Sequence, residues 1–178
     1  MTDAHVPPCL YTFNQNLLKF NILRAGGAER KEDTQLKYVV LVSHGEFAPG
    51  LHKAVTMLGG EDREDVLSTS LKNGMGADEF ADNVRELLSV VGEDDEIIMF
   101  ADIVGGSPLA TAANVIAEKG LLAKTTMIGG MNLPLVLTAV LGKDDVDTEE
   151  LKEEIIEGAR EQVKEFVVAV EDDDEEDL

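Results

Sequence analysis

The chain has 178 residues, with 15 Lys and Arg against 36 Asp and Glu and a formal net charge of −21. That length suits one well-buried domain, which hides roughly 70% of its unfolded surface and needs no metal or disulfide staple. The acidic balance excludes a generic nucleic-acid binder, whose phosphate affinity comes from clustered Lys and Arg, and it disfavours anionic membranes.

Two further exclusions follow from composition. The single cysteine, Cys9, rules out an internal disulfide and Cys-rich metal sites. No apolar run approaches the roughly 18 residues of a membrane span, so a soluble, cytoplasmic protein is expected.

Residues 1–35 show no sustained period of 2 or 3.6 and mix Pro-Pro, Asn and Gly-Gly. Asp3 near the start and the lack of a long apolar stretch argue against a secretory signal. Two readings stand: a genuine extension, or a translated leader ahead of a start at Leu36. Lys31-Glu32-Asp33 can be encoded by a purine-rich stretch like a bacterial ribosome-binding site, and Leu36 by the alternative start codon TTG. The gene's codons decide between them.

From Lys37 the pattern is strong. Tyr38 to Val42 is a continuous β-branched run, as in a strand buried on both faces, and it ends at Ser43-His44-Gly45. A helix is predicted over Ala48 to Leu58, stopped by Gly59-Gly60. Val66 to Leu71 reads as a second strand. Asp78 to Val91 has helical spacing, with Phe80, Val84, Leu87, Leu88 and Val91 on one face. Glu96 to Ala101 reads as a third strand, with Asp102 at its end. A helix follows through about Lys119, with Ser107 expected as N-cap and Pro108 at the first helical position.

Lys124 to Ile128 is a fourth strand, and Asn132 is expected to cap a helix running to Leu141. Thr148 to about Lys164 is a last, charged helix, and Phe166 to Val170 a final short strand. The acidic run Glu171 to Asp177 closes the domain as a like-charge tail, expected to be disordered. The domain proper is therefore 36–170, followed by 171–178. Alternating strands and helices with short Gly-rich turns argue an α/β fold, an open, mainly parallel sheet with helices on both faces. In such a sheet the functional crevice lies beyond the carboxyl ends of the strands, at the topological switch point. If the first and third strands are neighbours, His44 and the segment 102–107 meet there.

Three features carry chemistry. His44 ends a rigid strand, and Gly45 lets another molecule approach its backbone. Asp102 can hold the Nδ1–H of an adjacent imidazole and leave Nε2 as the free nucleophile. Gly105-Gly106-Ser107-Pro108 opens a helix, whose free N–H groups and dipole favour an anion. It is neither a Walker A loop, lacking Lys-Ser/Thr, nor a dinucleotide fingerprint. Together they suit phosphoryl transfer through histidine. No metal-ligand set or cofactor motif is evident, so a phosphocarrier without metal or cofactor fits better than a metal-dependent kinase. His52, on the first predicted helix, is expected to be exposed. His5 and Cys9 receive no role. Met127 and Met131, flanking Gly129-Gly130, read as core or crevice packing.

At these residues the chain resembles the enzyme IIA components of the mannose-type phosphoenolpyruvate-dependent sugar phosphotransferase system. The likeness rests on three motifs in order over about 37–170: Val39-Val40-Leu41-Val42-Ser43-His44-Gly45, Phe100-Ala101-Asp102-x-x-Gly105-Gly106-Ser107-Pro108, and Gly129-Gly130-Met131-Asn132-Leu133-Pro134. The resemblance implies that His44 accepts a phosphoryl group from the carrier HPr and passes it to a IIB component, serving membrane IIC and IID components indirectly. It implies Asp102 as the active-site aspartate, Gly105, Gly106 and Ser107 as the phosphate-contacting turn, and a homodimer that exchanges a C-terminal strand, which Phe166 to Val170 could supply. Ile103 and Val104 replace polar or aromatic residues often found in that family. The alternatives are the phosphotransfer subunit of a dihydroxyacetone kinase or a regulatory domain of the same fold.

Overall fold

A computed structural model describes residues 35–60 and 63–168. Four strands, β1 (Lys37–His44), β2 (Val66–Leu71), β3 (Glu96–Ala101) and β4 (Thr125–Gly129), form one sheet in the order β2-β1-β3-β4. Every pairing is parallel. Five α-helices join or follow them: α1 (Phe47–Gly59), α2 (Ala77–Leu87), α3 (Ser107–Glu118), α4 (Leu133–Gly142) and α5 (Thr148–Glu161). The expected α/β architecture is therefore the observed one.

The core follows from the period of the strands. Successive side chains of β1 point to opposite faces, and both faces are covered. Val39 and Leu41 pack with Leu51 and Val55 of α1, Val136 and Val140 of α4, and Leu151 and Ile155 of α5. Tyr38, Val40 and Val42 pack with Phe80 and Val84 of α2 and with Ala112, Val115 and Ile116 of α3. Burying each such aliphatic or aromatic side chain contributes about 1.5–3 kcal/mol.

The chain steps from β1 to β2 in one direction and then back across β1 to β3 and β4. Right-handed crossovers place α1 and α2 on opposite faces when the direction reverses. The reversal leaves an open mouth between the ends of β1 and β3.

The far ends of the strands are closed by charge. Arg63 donates to both carboxylate oxygens of Asp65, at 2.9 and 2.8 Å, and to the Val140 carbonyl at 2.9 Å. Lys143, buried just beyond α4, reaches Asp65 Oδ2 at 2.9 Å and Asp144 Oδ1 at 2.8 Å. Burial pushes the Asp65 pKa up, but the bonds and charges of Arg63 and Lys143 outweigh it and hold the group at about 2.

Several boundaries differ from expectation. The helix expected to reach Val91 ends at Leu87 and tightens into a 3₁₀ turn over Leu88–Val90, as helix ends commonly do. The last helix stops at Glu161. The final strand is not formed where it is described: Phe166, Val167 and Val168 lie outside any strand and are exposed. A strand needs a paired edge, and the four-strand sheet takes no partner from this run. Ala169 and Val170, the acidic tail, the N-terminal extension, His5 and Cys9 lie outside the described residues.

Candidate active site at the switch point

β1 and β3 are neighbours, in a register that pairs Val42 with Ala101. His44, the last residue of β1, and Asp102, the first beyond β3, therefore emerge side by side. Asp102 Oδ2 accepts both the backbone N–H of His44, at 2.9 Å, and the contact from its ring Nδ1, also at 2.9 Å. Asp102 Oδ1 accepts the backbone N–H of Ile103 at 2.9 Å. Two backbone donors thus fix the plane of the carboxylate before the imidazole is considered.

Burial pushes the Asp102 pKa up. The backbone N–H, ring and charge of His44, with the N–H of Ile103, outweigh that and hold the pKa below the ordinary carboxylate value. An ionised carboxylate only accepts hydrogen bonds, so Nδ1 carries the proton in this contact. Nε2 is left with its lone pair on a side chain that is 43% exposed. That arrangement can act as a nucleophile towards an electrophile arriving from solvent.

The second motif forms the wall beside the ring. Gly105 has φ +72°, a left-handed conformation suited to glycine. The Gly106 N–H donates to the Ile103 carbonyl at 3.3 Å. The helix begins one residue earlier than expected: Gly106 is the cap, Ser107 the first helical residue and Pro108 the second. No side-chain capping bond is made there. An extended ψ of 158° at Gly106 lets its backbone turn into the helix without one. The N–H groups of Ser107 and Leu109 fall in the first turn, where a helix offers no internal acceptor. Ser107 is exposed at the open start of α3.

Residues outside the three chemical features hold this geometry. Ser43 is buried, and its hydroxyl accepts the Ala48 N–H at 2.7 Å and donates to the His44 carbonyl at 3.1 Å. It closes the turn between β1 and α1. Gly129 ends β4, where a Cβ would fall 2.4 Å from Val104 Cγ2 and 2.9 Å from the Val104 backbone. A glycine there is what lets the 102–106 loop lie across the sheet. The Met131 N–H donates to the Ala101 carbonyl at 2.9 Å and ties the third motif to β3.

Other candidates are placed away from this chemistry. Asn132 caps α4, its Oδ1 accepting the Leu135 N–H at 2.9 Å, as expected. His52 is a correction: it is half-buried rather than exposed. Its Nδ1 lies 2.9 Å from Ser68 Oγ, and burial lowers its pKa. Among the described residues no group of three or more His, Cys, Asp or Glu is placed to hold a metal ion. Among them, too, no helix is long and apolar enough to cross a membrane.

Comparison with known proteins identifies the family. A family model described as PTS system fructose IIA component matches residues 38–156. The chain is 29% identical over 99 residues to the PTS system fructose-specific EIIA component of Bacillus subtilis (strain 168), covering 56% of this chain and 65% of that protein. The match thus spans just under two thirds of that relative. Two solved structures share the fold. The PTS IIA protein associated with the fucose utilization operon from Streptococcus pneumoniae is 24% identical, with a TM-score of 0.64, covering 74% of this chain and 94% of that one. The mannose/sorbose specific IIA subunit from Enterococcus faecalis is 20% identical, with a TM-score of 0.64, covering 76% and 98%. The chain belongs to the mannose-type enzyme IIA family of the sugar phosphotransferase system.

Proposed function

We propose that this protein is a histidine phosphocarrier of a cytoplasmic sugar phosphotransferase relay, accepting a phosphoryl group from HPr and passing it to a IIB component. The observation that carries the reading is the paired grip of Asp102 Oδ2 on the N–H and the Nδ1 of His44. It leaves Nε2 open beside the unsatisfied start of α3.

In the forward step the Nε2 lone pair attacks phosphorus on the donor phosphohistidine. The donor P–N bond breaks, and its electron pair returns to the donor imidazole. No proton leaves His44: Nδ1–H stays on Asp102, and the carboxylate offsets the positive charge that develops on the ring. The Ser107 hydroxyl and first-turn N–H groups supply donors for the phosphoryl oxygens, with Gly105 and Gly106 shaping the turn. Transfer to the IIB component is the same displacement with His44 as leaving group.

The reading includes a homodimer. The apolar run at Phe166–Val168 is exposed in the single chain, and covering a neighbour's sheet edge would bury it. The test is labelling of the full chain with phosphoenolpyruvate, enzyme I and HPr. One acid-labile phosphoryl group is expected, and none on His44→Ala. A normally labelled His44→Ala protein would remove the reading.

A further inference from the structure

The two glycines of the second motif are glycines for different reasons. Gly105 needs its left-handed φ of +72°. Gly106 does not: its φ of −67° and ψ of 158° are ordinary extended values open to any L residue. Its backbone conformation therefore gives no reason for glycine. Space does. A Cβ at 106 would lie 3.1 Å from His44 Cε1, closer than its distance of 3.4 Å to Ile103 Cβ and to the Ile103 carbonyl oxygen.

The imidazole is thus held from two sides. Asp102 takes Nδ1 at 2.9 Å, and the bare Cα of Gly106 lies against the Cε1 edge. Gly106 also has little freedom to serve as a phosphate donor, because its N–H already points to the Ile103 carbonyl.

We propose that Gly106 is a positioning residue, whose missing side chain seats the His44 ring so that Nδ1 stays on Asp102 and Nε2 faces the mouth. The proposal rests on His44 being the phosphoryl acceptor. A methyl at 106 meets two neighbours. The Ile103 contacts at 3.4 Å are ordinary van der Waals distances, and the ring contact at 3.1 Å is not. The tight contact is the one to the ring, whose side chain is 43% exposed, so the ring gives way, by a few tenths of an ångström, at the expense of the Asp102 contact. In-line displacement is sensitive to such shifts, and a misplacement of about 1 Å can cost roughly 100-fold in rate.

The test is Gly106→Ala in the full chain, with Gly105→Ala beside it. Gly106→Ala should fold and melt close to the wild-type temperature, because alanine's smaller unfolded-state entropy offsets its weaker capping. Its phosphoryl transfer from phospho-HPr should fall about 10-fold or more, at an unchanged half-saturating HPr concentration. Nitrogen-15 NMR of the ring should show the fixed Nδ1–H tautomer of the wild type replaced by a mixture. Gly105→Ala should instead lose thermal stability. A Gly106→Ala protein with wild-type rate and tautomer overturns the proposal. So does one that fails to fold, since position 106 would then be structural. If wild type itself takes no label from phospho-HPr, the phosphocarrier reading fails, and the ring tautomer still decides the role of Gly106.

Discussion

The two ends of the sheet use the same groups for opposite ends. At the carboxyl end, Asp102 holds one nitrogen of His44, and the other is left open on a side chain that is 43% exposed. At the amino end, Asp65 is gripped by Arg63 and by Lys143, whose side chain is only 3% exposed. Both carboxylates are held below their ordinary pKa. In the first case the pairing fixes a ring whose second nitrogen stays open. In the second the carboxylate is held by two cations, and the result is a staple between β2 and the end of α4. What separates a reactive site from a structural one here is a free lone pair with access to solvent.

The comparison is broken most severely at Asp102. Asp102→Asn keeps an acceptor for a backbone N–H but loses the charge that holds the ring. Phosphoryl transfer from HPr should fall about 100-fold or more, while the half-saturating HPr concentration changes little. Single-turnover transfer kinetics over a range of HPr concentrations check this, and an equal loss of affinity and rate would count against an orienting role.

The mirror experiment at the other end should touch stability alone. Asp65→Asn leaves the buried Lys143 ammonium with Asp144 only, and should cost about 3 kcal/mol in urea unfolding. Transfer rate per folded molecule should stay at the wild-type value. If the rate falls as well, the two ends are not independent.

The pH dependence of stability sharpens the same contrast. His52 has a folded pKa below its unfolded value, so its contribution is present above about pH 6.5 and is lost as pH falls through the folded value. Asp65, at about 2 when folded, contributes above its unfolded pKa near 4 and loses that contribution as pH falls towards 2. Urea midpoints should therefore decline in two stages on acidification. His52→Gln should remove the first stage, and Asp65→Asn should shrink the second to the share that Asp102 contributes.

The smallest effect concerns Ser70, opposite Ser43 in the sheet register. Its hydroxyl is buried and has no hydrogen-bond partner among the described residues. Ser70→Ala should leave transfer unchanged and raise stability by up to about 1 kcal/mol, measured by the same urea titration.

Much of this was legible in the sequence, for identifiable reasons. β2 and β3 have the predicted bounds because charged residues flank each run, Asp65 and Lys72 in the first case and Asp95 and Asp102 in the second. His44 and Asp102 could be brought together from their strand-end positions alone, once β1 and β3 were taken as neighbours. The Asn132 cap was legible because capping is local. What stayed hidden depends on atoms distant in sequence. Gly129 is a glycine because of Val104, and Gly106 because of the His44 ring. The burial of His52 and Lys143 depends on Ser68 and Asp65, which periodicity within one helix does not report. Ser107 was displaced by one residue because the extended turn at Gly106 takes the cap position.

The most direct test of the central claim is to phosphorylate the nitrogen-15 labelled full chain from phosphoenolpyruvate through enzyme I and HPr, and to record phosphorus and nitrogen NMR under alkaline quench. The account predicts a single phosphohistidine on Nε2 of His44, with Nδ1 still protonated. A phosphoryl group on Nδ1, on another residue, or on none while HPr itself is charged, would contradict it.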